Sequence, residues 1–340
     1  MSKRILTEQE LAEKRGNLAI THDKVTEHML TGKNGNKIFT GISNATRKAA
    51  NLSKLAKIDN MTVQPVAEPH AYDGRRMYAD ARGTAIEKGL LSATITQIGL
   101  EVQRSKQLAF AERIVLSFAD QMKVGFIAGE EYEDAPNVMQ MAFSGFNLKD
   151  VIDPKSKEFV YRVTLATEEN GVLKRMLEEK YNIFIIELPK LPRTIDKVPE
   201  NQRELWEICR VIKTPYKNFE RMLKMTTLAT PTAKLLANEF KKTMKSQQTV
   251  RQIIDWDEEV ERLRRERERE KAKARAEGIA KGMEKAKAEY EPQLAAQSNQ
   301  LAARDKEVER LRSLLTNNNI DYTLPPPKIA KKRSKSTHER

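Results

Sequence analysis

Asp80, Glu101 and Gln103 are the residues whose types and spacing could do chemistry. Asp80 lies in MYADARGT and the other two in ITQIGLEVQ, segments that both carry strand periodicity. Side chains alternate across a sheet, so Ile98, Leu100 and Val102 are expected on one side and Gly99, Glu101 and Gln103 on the other. By the same alternation Tyr78, Asp80 and Arg82 share a face. If the two strands pair, Asp80 and Glu101 stand side by side on the polar face, with Gln103 two residues further on. Two carboxylates at a sheet's edge supply the hard oxygen ligands that suit Mg2+, an ion that keeps several waters. Such an ion polarises a phosphodiester and helps to generate the attacking hydroxide. Acids on the wet face of a strand can equally be no more than solvated side chains, and the pair alone leaves both readings open.

The elements that must position these residues follow from changes of period along the chain. Helical patterns are expected over about Glu8–Leu30, broken by Gly16, and over Lys37–Lys57 after the turn Gly32–Gly35. Met61–Val66 and Arg76–Thr84 read as two strands around the turn His70–Gly74, and Ile95–Gln103 as a third. The connection GTAIEKGLLSATIT does not read as a tight hairpin. A helix is expected near Lys106–Ile127, then apolar alternation at Asn137–Leu148 and Glu158–Thr167. YNIFIIEL, Tyr181–Leu188, is apolar enough for a strand buried on both faces, and Pro189 and Pro192 stop it. Asn201–Arg251 reads as helical. The order suggests a mixed α/β fold, a helix-flanked mixed sheet over residues 1–250.

Beyond Arg251 the composition changes. Glu258–Glu291 is almost wholly Glu, Arg, Lys and Ala, with charge pairs three and four apart, and reads as a solvated helix. Arg267 and Glu270 interrupt the apolar seam that Trp256, Val260 and Leu263 begin, and Pro292 is expected to interrupt the helix. Leu294, Leu301, Val308 and Leu315 then recur every seven residues, a pattern open to a homodimeric coiled coil through the C-terminal helices. Gly278 and Gly282 either let a partner helix approach or record a repeat-derived sequence. This charged helix and coiled coil occupy 251–316, and a Pro/Lys-rich tail expected to be disordered occupies 317–340.

Net charge and rare residues narrow the function. The chain of 340 residues carries 61 Lys and Arg against 48 acids, a net charge of +13. The last seventeen residues hold six of the cations and one acid, Glu339, so +5 of the excess lies there. Lys331, Lys332, Arg333 and Lys335 suit either a solvated tail or an arm that neutralises phosphates. Cys209 is the sole cysteine, which excludes an intramolecular disulfide framework and a Cys-based zinc cluster. Four scattered histidines do not make a zinc hydrolase signature. No apolar run approaches the ~20 residues needed to span a bilayer, so no membrane partner is expected. The polar start MSKRILTEQE points to a reducing, cytoplasmic compartment.

Five pieces in order resemble the PD-(D/E)XK nuclease superfamily, in its recombination-promoting nuclease and transposase-like branch. They are THDKVTEHML with NKIFTGISNATRKA, YDGRRMYADARGTA, IGLEVQ, NIFIIELPKL and AEGIAKGMEKAKAE, spread from about His22 to Glu289. The resemblance implies a restriction-endonuclease-like core and metal-dependent cleavage of DNA. On it Asp80 and Glu101 would ligate Mg2+, and Gln103 would stand where the wider superfamily has Lys. Gln is neutral and cannot act as a useful base, so a second metal or a cation such as Lys106 would have to compensate. Thr26 and Glu27 replace the Phe-Lys usual in the opening helix. Asp23 is either an additional ligand or a helix-surface acid, and Arg113 either meets a phosphate or pairs with an acid. Glu187 ends an apolar strand and must find a partner, which suits a structural role.

The expected function is a Mg2+-dependent DNA endonuclease linked to recombination or transposition, acting in a bacterial cytoplasm or nucleoid without a small-molecule cofactor. The alternative is a catalytically weak or inactive nuclease-like DNA-binding scaffold that dimerises through its C-terminal coiled coil.

Overall fold

A helical start, a mixed sheet and a helical end follow one another in the computed structural model. It describes residues 7–55, 58–63, 80–88, 93–104, 110–124, 135–149, 151–169, 172–177 and 180–318. The first helical pattern is two helices, α1 (Glu8–Asn17) and α2 (Asp23–Thr31), followed by α3 (Gly35–Ala49). Thr7 and Glu10 form a reciprocal capping box at the start of α1. The chain leaves α1 at Leu18 in extended conformation and enters α2 at His22, so the break expected at Gly16 falls over 18–22. Helix α3 ends eight residues before the expected Lys57, at a turn where Asn51 takes the left-handed φ of 58°. At Gly35 a Cβ would overlap the Leu30 carbonyl, so the α2–α3 turn can close only on glycine.

The sheet uses β1 (Ile58–Val63), β2 (Ala81–Lys88), β3 (Ala93–Gln103), β4 (Asn137–Ser144), β5 (Val160–Val163) and β8 (Tyr181–Glu187), with α4 (Phe110–Val124) between β3 and β4. Its order is β1-β2-β3-β4-β8-β5. The first three strands are antiparallel, β3, β4 and β8 run parallel, and β5 returns antiparallel to β8. This is the expected helix-flanked mixed sheet. All seven residues of β8 are buried, because β4 and β5 flank it and both its faces are covered.

Several boundaries differ from those the sequence predicts. Strands β2 and β3 pair without a break from Ala81↔Leu100 to Lys88↔Ala93, so only residues 89–92 separate them in sequence. The connection that did not read as a hairpin is therefore mostly strand, because its Thr and Ile residues belong to the ladder. The expected strand Glu158–Thr167 is divided into β5 and β6 (Ala166–Glu169), and β6 pairs with β7 (Val172–Arg175) as a separate two-stranded ribbon. Asn170-Gly171, a common hairpin dipeptide, lies between them and was the available signal. Residues 64–79, which include the expected turn His70–Gly74, lie outside the described residues.

On one face of the sheet a large core joins Val25, Phe39, Ile58, Leu100 and Phe184 to the C-terminal helices α5 (Arg203–Lys213), α6 (Tyr216–Met225) and α7 (Pro231–Lys245). Pro215 and Pro231 cut the expected helical stretch Asn201–Arg251 into these pieces, each proline standing where a helix begins. On the other face α4 packs Phe110, Ile114 and Phe118 against Val138, Tyr181 and Ile185. Helix α8 (Gln247–Asn317) starts in the first core with Val250, Ile253 and Ile254 and is exposed along most of its length. It passes through Pro292 instead of stopping there: a proline removes one backbone donor, and a solvated helix with strong formers on both sides accommodates the loss. Two compact units divide the chain, residues 1–264 and 265–340. Among the described residues no helix is long and apolar enough to cross a membrane.

Candidate active site

The β2–β3 register sets the site. The ladder opens with Ala81 opposite Leu100; Asp80 stands just before it, and its Oδ2 accepts the Val102 backbone N–H at 2.7 Å. Leu100 and Val102 face the large core, so the alternation turns Glu101 and Gln103 toward α4. That face is not wet. Glu101 is 2% and Gln103 7% exposed, which removes the reading of solvated strand acids. Arg113, in the first turn of α4, donates from Nη2 to Glu101 Oε1 and from Nη1 to Gln103 Oε1 at 3.4 Å. It pairs with an acid, one of the two roles open to it from sequence.

Asp23 opens α2, where the positive end of the helix dipole favours an acid. Its charge is felt at both other carboxylates. Burial pushes the Asp80 carboxyl well above the ordinary range, and the charges of Asp23 and Glu101 push it further. Burial also raises Glu101, against the pull of Arg113, and Asp23 adds to the rise. Asp23 itself is raised by burial, opposed by His22 and reinforced by Asp257. One buried carboxyl, Glu101, and two half-buried ones, Asp23 and Asp80, thus crowd one region with too little positive charge to ionise easily.

Sequence reasoning missed what holds Asp23 in place. His22 Nε2 meets Asp257 Oδ2 at 2.7 Å, and its ring stands edge-on to Trp256 at 6.3 Å. Lys24 Nζ lies 5.7 Å over the same indole. The start of α8 is thereby fastened to the helix carrying Asp23, across some 235 residues of chain, and no local pattern could announce it. Also missed was the polar layer beneath α4: Arg82 pairs with Asp120 at 2.7 Å, and Gln121 donates to Gln140. Gly99 makes room for that amide pair, since a Cβ there would overlap both side chains. Glu187 finds the Leu148 N–H and Lys190 Nζ, the latter at 2.7 Å, as its structural reading required. Burial raises the Cys209 thiol far above its ordinary range, which makes it a poor nucleophile. Lys106 and the cations Lys331, Lys332, Arg333 and Lys335 lie outside the described residues.

A divalent ion fits the donor set in part. Among the described residues no group of three or more His, Cys, Asp or Glu side chains is arranged to hold a metal. Mg2+ needs only one or two protein carboxylates beside its waters, and Asp80 and Glu101 offer that many. The Arg113 guanidinium occupies one Glu101 oxygen and supplies the positive charge a cation would bring.

Comparison with protein families gives one match: the model of the PD-(D/E)XK nuclease family transposase aligns with residues 91–286. The match includes Glu101, Gln103 and Arg113 and begins after Asp23 and Asp80. No curated protein and no solved structure matches the chain. With more than half of its length covered and a six-stranded mixed sheet at its centre, the chain belongs to the PD-(D/E)XK nuclease family transposases.

Proposed function

We propose that the chain is a divalent-metal-dependent DNA endonuclease that hydrolyses phosphodiester bonds in recombination or transposition. The position of Asp80 at the head of the β2–β3 ladder, held by the Val102 N–H and within the field of Glu101, carries this reading. Buried Glu101 and half-buried Asp80, each raised above its ordinary range and each under the field of Asp23, are oxygen ligands short of positive charge. Asp80 and Glu101 would hold Mg2+, with Asp23 as an additional ligand. Once bound, the ion polarises the scissile phosphate and lowers the pKa of a water. Gln103 can hold a water or a phosphate oxygen by hydrogen bonding but cannot take up its proton. Arg113, seated between Glu101 and Gln103, supplies the permanent charge that a neutral Gln lacks, and its planar fork suits phosphate oxygens.

On this reading residues 1–250 are the nuclease-like domain and 251–316 a charged helix that joins two copies through Leu294, Leu301, Val308 and Leu315. The tail 317–340 holds DNA through Lys331, Lys332, Arg333 and Lys335. The test is nicking of supercoiled plasmid. Cleavage should need Mg2+ and vanish in Asp80→Ala and in Glu101→Ala; undiminished cleavage by both variants refutes the site.

A second reading, a catalytically silent DNA-binding scaffold, is favoured by one observation: Arg113 already occupies a Glu101 oxygen that a metal would use. It requires salt-sensitive DNA binding with no cleavage under any divalent ion, and metal-dependent turnover excludes it.

A further inference from the structure

Helix α3 buries Ile38, Phe39, Ile42, Ala45 and Ala49 in the core. Its remaining stripe borders an open groove of about 930 Å³. Lys33, Lys37, Lys48 and Lys54 bring four exposed ammonium groups to this groove. Among the described residues none of the four has an ion-pair partner. Among the described residues Glu204 is the single acid lining it, and it accepts from Thr232 Oγ1 at 3.5 Å. At Gly41 a Cβ would overlap Thr232, so α3 and the start of α7 meet there and close the floor of the groove.

The arrangement selects its ligand. Lys37 and Lys48 are eleven residues apart on one helix, a rise of roughly 16 Å, too far to converge on one small phosphate. A row of cations on that scale suits an extended polyanion. Asn36 stands between the lysines with its amide N–H groups as neutral donors of the kind that meet phosphate and sugar oxygens, while Thr40 donates to Asn36 at 3.5 Å and Asn44 is held by the Leu55 backbone. Among the described residues no aromatic side chain lines the groove, so it offers unpaired bases no platform to stack on, and a duplex is the form of nucleic acid it fits. The groove is also apart from the carboxylates. Phe39 of α3 packs under Gly83 on one face of the sheet, while Glu101 and Gln103 meet Arg113 of α4 on the other.

We propose that this lysine-lined groove is a second DNA-contact surface, which holds the sugar-phosphate backbone of a duplex without reading its sequence and lies apart from the carboxylate site. The proposal rests on DNA as the partner, but not on cleavage.

The test uses the full chain and a labelled duplex of random sequence, with binding followed by fluorescence anisotropy between about 50 and 200 mM salt. Each phosphate contact contributes about 0.9 to the slope of log affinity against log salt. The fourfold variant K33Q/K37Q/K48Q/K54Q should therefore flatten the slope by roughly 3 to 4. Over that salt range wild type should lose about 150-fold more affinity than the variant. The fourfold Lys→Arg variant should bind as wild type does, which shows that charge and not folding is at issue. An equal number of Lys→Gln changes on α8, at Lys273, Lys281, Lys285 and Lys287, controls for net charge. An unchanged slope in the groove variant overturns the proposal, as does an equal flattening in the α8 control, or tighter binding of single strands than of duplex. Plasmid nicking by the same preparations keeps the two readings distinguishable. Nicking with an unaltered slope refutes the groove alone, and an altered slope without nicking refutes the nuclease alone.

Discussion

Replacing Arg113 by Met removes the guanidinium from a nearly dry pocket and leaves its aliphatic length. The side chains of Arg113 and Glu101 are 17% and 3% exposed, so the carboxylate would be left buried beside Asp23 and Asp80 with its cation gone. Breaking one side of a buried pair costs roughly 3–5 kcal/mol, and the partial exposure of Arg113 places this case at the lower end, about 3 kcal/mol near pH 7.5. That is a fall in Tm of roughly 6–12 °C for a domain of this size. The sign of the pH dependence follows from Glu101. Burial raises its folded pKa and Arg113 opposes the rise, so the variant raises it further. A group raised in the folded state contributes its stability below the unfolded pKa and loses it as pH rises through the folded value. The penalty is therefore greatest at neutral pH and shrinks as pH falls toward the ordinary glutamate value of about 4.3, by up to about 1.4 kcal/mol per pH unit. Urea unfolding of both proteins at pH 7.5 and at pH 5, in chelator, measures it. A loss under about 0.5 kcal/mol at pH 7.5, or the same loss at both values, refutes the assignment of Arg113 as the counter-charge of Glu101.

Asp80→Asn keeps an oxygen for the Val102 N–H but removes a charge that Asp23 and Glu101 repel. Because burial and those two charges raise the Asp80 carboxyl, the wild-type protein should lose stability as pH climbs from ordinary carboxylate values to neutral. In metal-free thermal melts the variant should show a flatter pH profile and a Tm at neutral pH no lower than wild type, while losing any Mg2+-dependent nicking; an unaltered profile counts against the cluster. Gly99→Ala drives a methyl between Gln121 and Gln140 beneath α4. Overpacking together with a lost buried hydrogen bond should cost about 2–4 kcal/mol in chemical unfolding, and a neutral result would show that this layer is loosely packed.

Alternation alone made the site face of β3 legible. Ile98, Leu100 and Val102 mark the core side, so Glu101 and Gln103 had to share the other, and Asp80 was placed beside them once the two strands were taken to pair. The hydrophobic run of β8 announced a strand covered on both faces. Boundaries were less legible. The β2–β3 hairpin hid behind a connection without strong turn residues, β6 and β7 formed a ribbon of their own, and α8 passed through Pro292.

The sequence by itself determined the mixed α/β class, the strand alternation that puts Glu101 and Gln103 together, the charged C-terminal helix and the excess of positive charge. These depend on local period and composition, which each segment carries alone. Only the tertiary structure decided that Glu101 is dry, that Arg113 neutralises it, and that Asp257 and Trp256 fasten the helix of Asp23. It also decided that four lysines from α3 and its flanks share one groove with the start of α7. Burial, counter-charge and convergence depend on which distant segments cover a residue, and residues more than two hundred positions apart leave no mark on each other's local pattern.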